Sequence, residues 1–256
     1  MSNEHDERGF SRNKGVDVTQ SMTPSAGARI SVLRAWSIHT FTASGVVFAM
    51  LALMALLNSN VVACLLWLGA AMMIDGVDGN LARKYEIKSV LPNFDGVILD
   101  VMVDYLTWSF IPAIFIFQFI PLPPYLSALS VAIILLSSMF CYCNVNEKSE
   151  DSYFVGFPAA WNIVAAYFYV FQLPPWVSFA VILVMAGLTM TQIKFLHPFR
   201  VKLLMPINIA VTVAWCVCMT ALILSSPVHA AWAVWGLVAS SLYFAAMCIA
   251  RTIRGH

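Results

Sequence analysis

Long apolar runs alternate with short polar breaks along almost the whole chain, at 37–57, 61–80, 96–119, 125–143, 157–172, 176–195, 203–224 and 230–250. At roughly 20 residues per crossing, each can span a bilayer as a helix, with 157–172 near the lower limit. An all-α polytopic membrane protein with eight transmembrane helices is expected. The breaks are of two kinds. Those after the odd-numbered runs are uncharged: NSN at 58–60, PLPP at 121–124, QLPP at 172–175 and SSPVH at 225–229. The 14 Lys and Arg residues all fall in the N-terminal segment, the 81–95, 144–156 and 194–202 loops, or the C-terminal end. By the positive-inside rule, both termini and these three loops face the cytoplasm.

Composition agrees with this pattern. The chain has 256 residues, 61% of them hydrophobic and only 11% charged, and its mean hydropathy is +0.81. Residues 1–26 are polar, mixed in charge and without periodicity, and are expected to form a mobile cytoplasmic tail. Residues 27–36, GARISVLRAW, set Ile30, Leu33 and Trp36 among Arg29 and Arg34, the pattern of an amphipathic helix lying in the membrane interface. Residues 37–256 form the membrane-embedded domain. The six cysteines lie in or beside apolar runs. The i,i+2 spacing of Cys141/Cys143 and Cys216/Cys218 points each pair to nearly opposite helix faces, so packing rather than zinc binding is expected. No internal repeat of the transporter kind is evident.

Acidic charge appears inside the apolar runs in one place. The stretch 75–104, DGVDGNLARKYEIKSVLPNFDGVILDVMVD, puts Asp75, Asp78, Gly79 and Ala82 on one helical face at i, i+3, i+4 and i+7, with Arg83 beside them. Gly96, Asp100 and Asp104 form a second stripe near the same end of the next helix. Small residues on both stripes let the helices approach. Four acids converging without matching cations call for a multivalent ion, and hard oxygen ligands suit Mg²⁺ or Mn²⁺. Two such ions about 3.5–4 Å apart form a known clamp for phosphoryl transfer. Arg83 adds a donor for a diphosphate. Ionisable residues within spans mark function by default.

The pattern D-G-x₂-D-G-x₂-A-R-x₁₂-G-x₃-D-x₃-D, formed by Asp75, Gly76, Asp78, Gly79, Ala82, Arg83, Gly96, Asp100 and Asp104, resembles the signature of the CDP-alcohol phosphatidyltransferases. The twelve-residue spacer from Lys84 to Asp95, longer than the usual one of about eight, resembles the bacterial branch that joins choline to CDP-diacylglycerol. The resemblance implies a helical bundle of that family with a cytoplasm-facing active site, two divalent metal ions (Mn²⁺ or Mg²⁺), and a homodimer in the bacterial inner membrane. It also implies that Asp75, Asp78 and Asp100 are metal ligands, with Asp104 as ligand or general base. Gly79 and Ala82 make room for the cytidine nucleotide, and Arg83 holds phosphate. In the first span, His39 to Thr42 (HTFT) aligns with an Asn-x-Leu-Thr pattern bordering the nucleotide, although His39 departs from it. The alternative for both residues is to satisfy a helix N-terminus.

Choline carries a trimethylammonium group that aromatic faces recognise. Trp108, at i+4 from Asp104, is the first candidate, and Tyr105, Tyr142, Tyr153 and Trp161 sit near the same membrane face. Asn162 is an amide for a ligand oxygen or a neighbouring helix. Interfacial anchoring explains such aromatics equally well. In KFLHPFRVK (194–202), Arg200 and Lys202 are candidates for the lipid phosphate. The expected partners are CDP-diacylglycerol, choline and membrane lipids, with no nucleic acid. Serine, inositol or glycerol phosphate as acceptor, or a cation-coupled transporter, are the competing readings.

Overall fold

Polar residues cap the apolar helices where the chain reverses. Asn60 Oδ1 accepts the Ala63 amide at 3.1 Å, and Asp95 Oδ1 accepts the amides of Val97 and Ile98 at 2.9 and 3.2 Å. The computed structural model describes residues 26–145 and 149–254, with side chains from residue 30 onward. The expected N-terminal tail lies outside the described residues, Ala26 excepted. In order, the elements are α1 (Ala26–Ala43), α2 (Gly45–Leu57), α3 (Val61–Lys84), α4 (Ile87–Val90), α5 (Gly96–Asp104), a π-helical turn (Tyr105–Phe110), α6 (Ile111–Phe119), α7 (Pro124–Tyr142), β1 (Phe154–Val155), α8 (Trp161–Phe171), α9 (Pro175–Thr189), β2 (Lys194–Phe195), α10 (Met205–Ser225) and α11 (Ala231–Arg254). Residues 27–36 continue into the rest of α1 without a break.

Six stretches are long and apolar enough to cross a membrane: Ile30–Leu57, Val61–Lys84, Gly96–Phe119, Pro124–Tyr142, Met205–Ser225 and Ala231–Arg254. The fifth and sixth apolar runs give shorter helices. With 11 and 15 residues, α8 and α9 extend only about 16 and 22 Å, short of a hydrocarbon layer of about 30 Å. The cause is local. Pro158 and the left-handed residues Gly156 (φ 84°) and Ala159 (φ 53°) hold 156–160 out of the helix. A side chain at Gly156 would also meet the Thr189 carbonyl oxygen at 2.5 Å. After α9 the chain extends into β2, which pairs antiparallel with β1, Phe154 opposite Phe195 and Val155 opposite Lys194. This pair is the departure from an all-α chain.

The bundle packs small residues inward and leaves large apolar ones outside. On α2, Gly45, Ala49, Ala52 and Leu56 are buried, while Val46, Val47, Met50, Met54 and Leu57 are exposed. Such an outer surface suits hydrocarbon, and the chain is an integral membrane protein. The main core joins α2, α3 and α6 to α11, and a smaller cluster of Ala35, Ile38 and Ile87 seats α1 on the end of α3 and on α4. α1 also packs along α5, so α1, α3 and α5 meet there.

Candidate active site

The last turns of α3 and the first turns of α5 bring three carboxylates together. Asp75, Asp78 and Asp100 each present an oxygen within 4.8 Å of the others. Asp78 is 3% exposed. Thr42, from α1, stands beside it with its hydroxyl donating to the Ile38 carbonyl at 3.3 Å, and the buried Oδ1 of Asp78 has no hydrogen-bond partner. An orphaned carboxylate oxygen beside two further carboxylates is costly in an apolar setting unless a cation joins it. The donor set is all oxygen and matches a hard divalent ion. Asp95 belongs to the same sequence stretch but is used in capping α5.

Cationic groups face this cluster. A Cβ placed on Gly79 would lie 3.4 Å from Arg83 Nη1 and 3.7 Å from Arg200 Nη2. Two guanidinium groups thus converge over a residue without a side chain. Arg83 is steadied by Asn80, whose Oδ1 accepts from Nη2 at 2.6 Å. Asp100, Asp78 and Arg200 all act on it electrostatically. One residue before Arg200, the Phe199 ring lies 3.3 Å from where a Cβ on Gly76 would stand. The glycines of the acidic stretch therefore admit the 196–204 segment against α3. Lys202, close by in sequence, is exposed.

On the other flank, His39 is buried against Phe94, with ring centroids 4.5 Å apart, and Trp36 stands 6.2 Å away. Its Cε1 lies 2.5 Å from where a Cβ on Gly96 would be. Glycine at 96 therefore lets α5 start against the imidazole, whose buried Nε2 has no hydrogen-bond partner. Ala82 packs beside Ala35, Ile38 and Ile87, where its small side chain lets α1 approach.

A family model for the CDP-alcohol phosphatidyltransferases matches residues 39–194, which include every aspartate described above. The chain belongs to the CDP-alcohol phosphatidyltransferase family. Among curated relatives it is 54% identical over 239 residues to a protein named phosphatidylcholine synthase from Pseudomonas aeruginosa, covering 93% of this chain and 98% of that one. It is 43% identical over 183 residues to a protein of the same name from Mesorhizobium japonicum, covering 72% and 68%. A third so named, from Agrobacterium fabrum, is 37% identical over 211 residues, covering 82% and 88%. Members of this family generally use divalent metals, and the three-carboxylate cluster is where this chain would hold them.

Asp104 stands one turn beyond Asp100 and outside the group of three. Tyr142 lies near Asp104, Asp75 and Ser109. The Tyr105 ring meets Tyr142 edge to face at 6.0 Å. Between Asp104 and Ser109 the backbone is π-helical, closing at i+5 rather than i+4. That turn brings Ser109, fully buried and 3.4 Å from the Ala159 carbonyl oxygen, toward Tyr142. Trp108 and Tyr142 both pack against the main core.

The remaining candidates lie in other surroundings. Trp161 is fully buried, edge-on to Phe157 at 5.3 Å. The Oδ1 of buried Asn162 accepts the Ile163 amide at 2.8 Å, and the residue lines an apolar cavity of about 270 Å³ with Leu68, Met72, Trp215 and Met219. Tyr153 is buried beneath Arg251, 5.8 Å from its ring centroid. Sequence reasoning missed Ser109, Phe199 and Phe94. Phe199 was legible as the neighbour of Arg200, whereas the π turn that selects Ser109 leaves no periodic signal.

Proposed function

We propose that the chain transfers the phosphatidyl group of CDP-diacylglycerol to choline, giving phosphatidylcholine and CMP. The observation that carries this reading is the cluster of Asp75, Asp78 and Asp100 facing Arg83 and Arg200 across Gly79. It occurs in a chain 54% identical to a protein named phosphatidylcholine synthase. Asp75, Asp78 and Asp100 hold two divalent cations, Mn²⁺ or Mg²⁺, which when bound neutralise charge on the diphosphate. Arg83 and Arg200 hold the diphosphate by charge-assisted hydrogen bonds. Gly79 leaves room for it, and His39 and Thr42 border the nucleotide.

Asp104 accepts the proton of the choline hydroxyl, and the freed oxygen attacks the phosphorus that bears diacylglycerol. The new bond joins choline oxygen to that phosphorus. The bond from phosphorus to the CMP oxygen breaks, and CMP leaves with the electron pair. Tyr105 and Tyr142, next to Asp104, give the trimethylammonium its aromatic faces. Trp108, Trp161, Tyr153 and Asn162 support them through packing, and Lys202 draws the lipid head group to this face.

The protein lies in the bacterial inner membrane with both termini and the site at the cytoplasmic face, residues 27–36 resting in the interface, and acts as a homodimer. A periplasm-dependent reporter fused at the C-terminus that becomes active would refute the orientation, and a monomeric mass in detergent by light scattering would refute the dimer. The enzymatic reading is tested by mixing the purified protein with CDP-diacylglycerol, choline and Mn²⁺. CMP release that requires both substrates supports it. Choline-independent ion flux into liposomes without CMP release contradicts it and favours a transporter.

A further inference from the structure

Arg200 reaches the aspartates from a segment with no helix of its own, so something must hold that segment in register. The anchors are on the last turns of α11. Thr252 Oγ1 accepts the Lys194 amide at 3.0 Å and donates to the Cys248 carbonyl at 2.8 Å. Cys248 Sγ accepts the Leu196 amide at 3.3 Å. Between them, Arg251 Nε donates to Asp151 Oδ2 at 2.5 Å. Asp151 is itself held by the Ser149 hydroxyl at 2.7 Å, and the Arg251 guanidinium lies over buried Tyr153.

These contacts grip both strands of the β pair, because Asp151 and Tyr153 lead into β1 while Lys194 and Leu196 belong to or follow β2. From β2 the chain runs directly to the site. His197 stacks on Phe154 at 4.9 Å with the rings 6° from parallel. The His197 carbonyl accepts the amides of Arg200 and Val201, both at 3.1 Å. Val201 is buried, and the Phe199 ring lies against Gly76. The path from α11 to the Arg200 guanidinium is therefore tied at each step.

We propose that the Arg251–Asp151 ion pair is a latch by which the C-terminal helix positions Arg200 over the nucleotide diphosphate. Arg251 is a positioning residue; it acts through Arg200 and touches no substrate. This rests on the reading of Arg200 as a diphosphate ligand. Opening the latch removes the tie on the β1 side, leaving only the Thr252 and Cys248 hydrogen bonds to hold the pair on α11, and lets the 196–204 segment drift from Gly76 and Gly79. The KM for CDP-diacylglycerol then rises, while the KM for choline, set near Asp104, does not.

The test is a double-mutant cycle on the full-length enzyme in mixed micelles, measuring both KM values for Arg251→Ala, Arg200→Ala, the double variant, and the exchange Asp151→Arg with Arg251→Asp. Arg251→Ala is expected to raise the KM for CDP-diacylglycerol roughly fivefold, to add nothing in the Arg200→Ala background, and to be largely reversed by the exchange. An unchanged KM in Arg251→Ala, or an effect that multiplies with that of Arg200→Ala, overturns the latch while leaving Arg200 as a ligand. An unchanged KM in Arg200→Ala overturns both. General destabilisation would lower kcat or move both KM values together, independently of Arg200, and also overturns the proposal.

Discussion

Asp78 shows most plainly why the site needs a cation. It is almost fully buried, and one of its oxygens has no hydrogen-bond partner. Replacing Asp75 or Asp100 with Ala is expected to drop turnover below about 1% of wild type, even at saturating Mn²⁺. Near-wild-type activity under those conditions would refute their role as ligands. Gly96 supplies a stability test. A methyl there would fall 2.5 Å from His39 Cε1, and the imidazole is confined by Phe94. Gly96→Ala should therefore cost about 1–3 kcal/mol, read as a lower unfolding temperature in detergent that a second change, His39→Ala, recovers in part. An unchanged melting temperature for Gly96→Ala would contradict this packing. At this scale much was legible in sequence, because carboxylates within apolar helices at i, i+3 and i+4 spacing have few other uses. The aromatic surroundings of His39 were not, since Trp36, His39 and Phe94 meet only through the fold.

At the scale of elements, the π turn at Tyr105–Phe110 changes which residues follow Asp104 along the helix. A continuous α-helix would set Trp108 one turn below Asp104. The i+5 closure brings Ser109 near Tyr142, and both Trp108 and Tyr142 pack on the core. Tyr142→Ala is accordingly expected to raise the KM for choline more than Trp108→Ala does, whereas Trp108→Ala lowers thermal stability more. Equal choline KM values for wild type and Tyr142→Ala would remove Tyr142 from the acceptor site. The start of α8 was not legible from apolar length alone, because Gly156, Pro158 and Ala159 divert the chain before Trp161.

The strand pair that follows from this diversion carries the latch, and its pH behaviour has a definite sign. The hydrogen bond from Arg251 holds the Asp151 carboxyl below the usual carboxylate range. A group depressed on folding stabilises above its unfolded pKa and loses that contribution as pH falls through the folded one. The ratio of the CDP-diacylglycerol KM of Arg251→Ala to that of wild type should therefore stay constant between about pH 6 and 8. A steady change across that window would show that another group controls the contact.

For the whole molecule, membrane crossing and the grouping of charge at one end were evident from hydropathy and from the confinement of Lys and Arg to a few loops. Both follow from the cost of charge and open backbone in hydrocarbon, which acts on every span alike. What joins α11, the β pair and Arg200 was hidden, because contacts between residues as distant as 151 and 251 leave no periodic trace. The central claim concerns the acceptor, and a panel of radiolabelled alcohols tests it most directly. Purified protein is given CDP-diacylglycerol with choline, serine, inositol or glycerol phosphate, each with Mn²⁺, Mg²⁺ or chelator. The account predicts that choline enters lipid fastest and that chelator stops incorporation. Faster incorporation of serine or glycerol phosphate than of choline, or transfer to choline undiminished by chelator, would contradict it.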